Sequence, residues 1–390
     1  MNFSVSKKEF FEALQKVIGV VPQKTTISIL TCILIDLRDG VLHLTGTDLE
    51  ISITTTLSVN IEEEGAVAIP AKILLEIVRE LPDVPLQISS NVDNKIIIKT
   101  EKGEYKLASQ PREDFPKISV EEGELAFQVQ AELLSHMAEK TMFAVSSDEL
   151  RPALTGINME LLPGEMRFVA TDGHRLAKIT TTKVMLASDV RRNLIIPTKT
   201  LHLLLRNMQT EEKCGIQLGE DHIVFSLQNA IIYSKLISGT YPNYERVLPQ
   251  NNDKYLQVDR ELLIASLRRV SIFSSSLTRQ VRLIVSSNEV TIRSEDIEFG
   301  AEAKEVIPAK FSDSWLQIGY NSNYLMDILR HMTGEEIIFE LKDGTSAALI
   351  SQVEKNENED VLMLLMPIRI NDENEDQKAS PEKEYSYAPE

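Results

Sequence analysis

Ile69-Pro70-Ala71-Lys72, Ile196-Pro197-Thr198-Lys199 and Ile318-Gly319-Tyr320-Asn321 are three versions of one short stretch, and their repetition decides the fold. Each runs into apolar residues at helical spacing. These are Leu74-Leu75-Glu76-Ile77-Val78-Arg79, Leu201-His202-Leu203-Leu204-Leu205-Arg206 and Tyr324-Leu325-Met326-Asp327-Ile328-Leu329-Arg330, with an arginine at the same place in each. A further helical pattern precedes each copy, over Lys8–Ile18, Ala131–Phe143 and Arg260–Ile272. A third mark agrees: Thr47-Asp48, Thr171-Asp172 and Glu295-Asp296 follow strand-like runs at intervals of about 124 residues, the size of a single domain.

Short alternating runs lie between the helices, such as Val41-Leu42-His43-Leu44-Thr45, Lys95-Ile96-Ile97-Ile98-Lys99, His222-Ile223-Val224-Phe225-Ser226 and Ile337-Ile338-Phe339-Glu340-Leu341. The pairs Asp39-Gly40 and Asp343-Gly344 read as hairpin turns. Each copy therefore reads as two helices with about six to eight strands, which is α+β, in three tandem copies. The runs Glu121-Glu122-Gly123-Glu124 and Pro249-Gln250-Asn251-Asn252-Asp253 punctuate the chain. They set expected domains at residues 1–122, 123–250 and 251–370. Residues 371–390 carry seven carboxylates against two lysines and almost no aliphatic side chain, so they read as a disordered acidic tail.

With 390 residues, 43% of them apolar, the chain is long enough for several well-formed cores. No apolar run approaches the length of a membrane span, and the N-terminus lacks the apolar core of a signal peptide. The two cysteines, Cys32 and Cys214, sit in strand-like contexts. Together these predict a cytoplasmic protein with free thiols, away from the membrane. A net charge of −18 argues against coating nucleic acid by bulk attraction, while leaving room for a local basic surface.

The most chemically loaded stretch is Thr171-Asp172-Gly173-His174-Arg175-Leu176-Ala177, directly after the strand-like Met166-Arg167-Phe168-Val169-Ala170. If Asp172 and His174 lay on a strand, they would share a face and form an acid–imidazole dyad, so a hydrolase using that pair is one reading. The other is an Asp-Gly turn beside a structural or contact-making histidine. Nucleotide-binding, zincin and Gly-x-Ser-x-Gly motifs are absent from the sequence. The six histidines lack metal-ligand spacing, so neither metal nor cofactor is expected.

The heptapeptide resembles the signature of the bacterial sliding clamps, the beta subunit of the replicative DNA polymerase III. So do Leu44-Thr45-Gly46-Thr47-Asp48-Leu49-Glu50, Arg151-Pro152-Ala153-Leu154-Thr155-Gly156, Tyr241-Pro242-Asn243-Tyr244-Glu245-Arg246-Val247-Leu248-Pro249 and Met366-Pro367-Ile368-Arg369-Ile370. The likeness runs from Met1 to Ile370. It implies a clamp fold, a non-catalytic processivity subunit, and a head-to-tail homodimer closed as a ring around double-stranded DNA of any sequence. The implied partners are the replicative polymerase, a clamp loader, and repair and translesion polymerases.

Residue by residue, the resemblance implies a partner-peptide pocket of Leu154, Thr171, Gly173, His174, Arg175, Leu176, Pro242, Arg246, Val247, Leu364, Met366, Pro367, Ile368 and Arg369. In it, His174 and Arg175 would orient a peptide. Lys24, Lys72, Lys199 and Arg206 match pore-facing positions. Arg79 joins them as a helix cation, within a wider basic set of Lys7, Lys8, Lys16, Arg268, Arg269 and Arg330; a merely solvated helix face is the competing reading. Across subunits Tyr105 and Leu107 would meet Ile272 and Phe273, with core packing as the rival for Ile272. Relatives end near Ile370, so the extra acidic segment would cover or screen the pocket.

Overall fold

The computed structural model describes residues 1–90, 95–117, 125–184, 186, 189–354 and 356–370. The boundary run at 121–124 and the expected tail at 371–390 lie outside the described residues.

The first copy comprises β1 (Asn2–Ser6), α1 (Lys7–Ile18), β2 (Cys32–Arg38), β3 (Val41–Thr47), β4 (Ile51–Ser58), β5 (Asn60–Glu63), β6 (Gly65–Pro70), α2 (Ala71–Glu80), β7 (Pro85–Ser90), β8 (Lys95–Lys99), β9 (Glu104–Ala108) and β10 (Gln110–Pro111). The second runs β11 (Leu125–Gln130), α3 (Ala131–Met142), β12 (Gly156–Leu162), β13 (Glu165–Thr171), β14 (Arg175–Thr181), β15 (Arg192–Pro197), α4 (Thr198–Asn207), β16 (Lys213–Leu218), β17 (His222–Ser226) and β18 (Ala230–Lys235). The third is β19 (Lys254–Asp259), α5 (Arg260–Val270), β20 (Gln280–Ser286), β21 (Glu289–Asp296), β22 (Ala301–Phe311), β23 (Trp315–Asn321), α6 (Ser322–His331), β24 (Glu336–Leu341), β25 (Ala348–Gln352) and β26 (Glu359–Leu365).

The repeated stretch is a strand end feeding a helix. Pro70 and Pro197 occupy the position before α2 and α4 with φ of −54° and −56°. Proline holds the residue before it extended and cannot itself donate to a ladder, so the strand stops there. The third copy lacks the proline. There the Asn321 side chain accepts from the backbone N–H groups of Asn323 and Tyr324, a true N-cap on α6. Each helix buries one apolar face, such as Phe10, Ala13, Leu14 and Val17 of α1, and Leu325, Ile328 and Leu329 of α6. The two helices of each copy pack on one another.

Two compact units result. One contains Met1–Asp172, Lys178–Pro242 and Glu357–Asp360. The other contains Gly173–Ala177, Asn243–Asn356 and the described residues from Val361 to Ile370. In the first, one sheet has the order β5-β1-β7-β8-β9. A second runs β10-β6-β2-β3-β4-β18-β17-β16-β11, and β15-β12-β13 follow one another in a third. Copies one and two are joined there by antiparallel β4–β18 pairing, from Thr55 opposite Ala230 to Ile51 opposite Ser234. In the second unit the order is β26-β25-β24-β19-β22-β21-β20-β23.

Local expectations fared unevenly. Asp39 and Gly40 adopt φ of 52° and 79°, the left-handed pair a tight two-residue hairpin needs. Asp343-Gly344 is not such a turn. It lies in a longer β24–β25 connection, where the Asp343 carboxylate accepts from the N–H groups of Thr345 and Ser346 at 2.8 and 2.7 Å. The first copy has more strands than expected because short β5 and two-residue β10 are added. Cys32 and Cys214 are buried, free thiols, and burial pushes Cys214 up to about 12.

Candidate docking site and DNA-facing helices

Asp172 and His174 lie in the connection between β13 and β14, not on a strand. Gly173 between them has φ of 92°, in the left-handed region glycine enters without a Cβ penalty. The strand-face argument for an acid–imidazole dyad therefore does not apply. His174 is exposed and stacks on Tyr324, ring centroids 5.9 Å apart and 19° between planes. Its carbonyl accepts from the N–H of Met366 at 2.8 Å, which fixes the chain after β26 against the connection.

Arg175 is the next residue and the first of β14. It is buried, its guanidinium lies 4.6 Å from the Tyr324 ring centre, and Nη1 donates to Asp327 Oδ2 at 2.7 Å. Tyr324 and Asp327 are three residues apart on α6 and so share a face. They hold His174 and Arg175 in place, and the sequence marks both only as members of a helical pattern, not as site residues. Their spacing at i and i+3, within a helix otherwise read only for its apolar stripe, was the available signal.

Around this centre Gly173 is exposed, and Met366 is exposed with its N–H already used. Pro367 and Ile368 are half-buried, and Ile368 bridges to Gly319, donating to its carbonyl at 2.8 Å. Leu176 and Leu364 are buried beneath as β-strand core. Arg246 and Val247 are exposed on a 3-10 turn at Tyr244–Val247, and Arg369 is exposed next to Ile368. The first unit holds the remaining expected positions: Leu154, buried in the Pro152–Thr155 turn; Thr171, half-buried at the end of β13; and Pro242, exposed. The second unit thus brings together a stacked ring pair, a flexible thioether and an open cation.

The helix cations divide. Lys24, Lys72 and Arg206 are exposed and form no ion pair among the described residues. Lys72 opens α2, and Arg206 closes α4, where the helix dipole favours a cation. Arg79 pairs with Glu80 at 3.1 Å, both exposed. Lys199 is tied to Asp48, of the Thr47-Asp48 mark, with half of its side chain open to solvent. Arg269, read as a member of the basic set, is ion-paired. It makes two contacts of 2.6 Å to the Glu305 carboxylate, and that guanidinium holds Glu305 below the usual range.

Tyr105 and Leu107 lie on β9, the last strand of its sheet. Tyr105 is exposed and Leu107 half-buried. Ile272 is not packed in a core. Helix α5 stops at Val270, a 3-10 turn covers Ser271–Phe273, and Ile272 is 77% exposed beside exposed Phe273. Nearby, β22 pairs with β21 along Ala301–Pro308 but with β19 only along Ala309–Phe311. Among the described residues, its first part has one open edge.

Three family models match the chain in order. They describe the DNA polymerase III beta subunit N-terminal domain at residues 1–119, the central domain at 128–243 and the C-terminal domain at 245–369. The beta sliding clamp of Pseudomonas aeruginosa is 32% identical over 373 residues, covering 95% of this chain and all of the relative. That of Haemophilus influenzae is 31% identical over the same length and coverage. The solved P. aeruginosa sliding clamp bound to griselimycin superposes with a TM-score of 0.90, and the Bacillus subtilis DNA polymerase sliding clamp with 0.91 at 28% identity. Each covers 95% of this chain and all of the relative. With its three-domain fold and its whole described length matched, the chain belongs to the DNA polymerase III beta subunit family, the bacterial sliding clamps.

Proposed function

We propose that this sliding clamp, a processivity subunit and not an enzyme, works as a head-to-tail homodimer closed around duplex DNA. It tethers the replicative polymerase, its loader, and repair and translesion polymerases in the cytoplasm. The observation that carries the reading is the β4–β18 pairing, by which copies join edge to edge within one chain. The same logic applied between chains uses the open edge of β9 and that of β22. Tyr105 and Leu107 on one side then cover Ile272 and Phe273 on the other. An unpaired edge flanked by exposed apolar side chains is otherwise an aggregation hazard, and a head-to-tail contact that closes removes it. Domain limits at residues 122/123 and 250/251 place one copy in each third of a subunit.

A ring holds DNA by topology, so tight phosphate contacts are unnecessary and would slow sliding. The helix cations fit a weak, sequence-independent lining: Lys24, Lys72 and Arg206 are open, while Arg79 and Lys199 are partly neutralised by Glu80 and Asp48. Partners dock through a short peptide with a Leu or Phe anchor, on His174, Met366 and the other pocket positions that the resemblance implies. Equilibrium binding of a fluorescein-labelled peptide ending in Leu-Phe tests the docking site. His174→Ala should weaken it at least about tenfold with the fold intact; unchanged affinity would remove His174 from the site.

A further inference from the structure

We propose that the end of this chain, Tyr385-Ser386-Tyr387-Ala388-Pro389, docks on the His174–Tyr324–Met366 surface of its own subunit and competes there with partner peptides. The inference rests on the docking reading above and adds regulation to it. Residues 371–390 lie outside the described residues, but their point of attachment does not. Ile370 follows Arg369 and Ile368, and Ile368 is bonded to Gly319, so the segment begins at the docking surface itself. The family model stops at 369, and the relatives are matched over their full length by 95% of this chain, so the segment is additional to the matched clamp.

Reach, charge and chemistry agree on the occupant. Fourteen residues separate Ile370 from Tyr385. Fourteen residues span at most about 50 Å even fully extended, so Tyr385 stays tethered close to the segment's own root, where the effective concentration of a tethered group is of millimolar order. The segment carries seven carboxylates against two lysines, and Arg369 stands exposed at the surface without an ion pair among the described residues. Beyond Ile370 the only aromatic side chains are Tyr385 and Tyr387, flanked by Glu382 and Glu384. They offer rings to a surface built of a stacked His174–Tyr324 pair and an adaptable exposed methionine. A weak tethered occupant at millimolar effective concentration lowers partner affinity by about two- to tenfold.

Three proteins decide it: the full chain, the full chain with Tyr385→Ala and Tyr387→Ala, and residues 1–370, which keep everything the family models match. The labelled Leu-Phe peptide should bind the second and third about two- to tenfold more tightly than the first. The Met366 methyl resonance of the full chain should shift on truncation, with no peptide present. Equal affinity for the full chain and residues 1–370 overturns the proposal and leaves the docking site standing. A double-tyrosine variant that behaves like the full chain overturns it in favour of charge screening. A truncation that changes only DNA affinity places the segment on the pore cations and also overturns it. Failure of the peptide to bind residues 1–370 overturns the docking reading and this proposal together.

Discussion

At the scale of residues, the proposed docking site rests on the Arg175–Asp327 ion pair. Arg175 reaches Asp327 at 2.7 Å with its own side chain 10% exposed and that of Asp327 34% exposed. Arg330 lies 3.8 Å from the other oxygen of Asp327, so loss of Arg175 leaves that carboxylate a longer second partner, and its partial exposure moderates the cost further. Arg175→Ala should therefore cost about 1–3 kcal/mol in chemical denaturation and also loosen the His174 ring, weakening peptide binding. Asp343 supplies a pH handle on the same domain. Thr345 N–H and hydroxyl, with Ser346, hold its carboxyl down to about 2. A carboxyl depressed in the folded state contributes stability above its unfolded value near 4 and loses it as pH falls toward 2. Asp343→Asn should flatten that part of the pH–stability curve, and a carbon-13 titration of Asp343 should show a midpoint well below 3.

Elements show what could be read in advance. Among the described residues the six α-helices were legible because apolar spacing and the repeated strand-end stretch fix them locally, and Pro70, Pro197 and Asn321 precede three of them. The Arg175–Asp327 pair was not legible, since its partners stand 152 residues apart and helical spacing marks only the apolar face of α6. Nor was the end of α5. Ile272 continues the apolar pattern, yet the helix gives way to a 3-10 turn before it and leaves it exposed. The motif ending in Gly156 has a physical reason. A Cβ there would stand 2.7 Å from the Ile196 carbonyl oxygen, where β12 and β15 pair Gly156 with Pro197. Backbone cannot yield as a side-chain tip does, so Gly156→Ala should cost about 1–3 kcal/mol, readable as a lowered melting temperature.

For the whole molecule, the proposed ring would reconcile a net charge of −18 with a duplex partner through topology and a sparse set of cations. Replacing Lys24, Lys72 and Arg206 singly by Ala should each lower the slope of log affinity against log salt by at most about 0.9, without changing sequence preference. Ile272→Glu should shift the assembly toward a single subunit in sedimentation equilibrium, since it places a charge in the proposed apolar contact. The ring itself is tested most directly by loading the protein with a clamp loader onto a nicked circular plasmid and following retention at high salt. The account predicts that the protein stays bound on the circle and runs off once the plasmid is linearised. Equal retention on circular and linear DNA would contradict it.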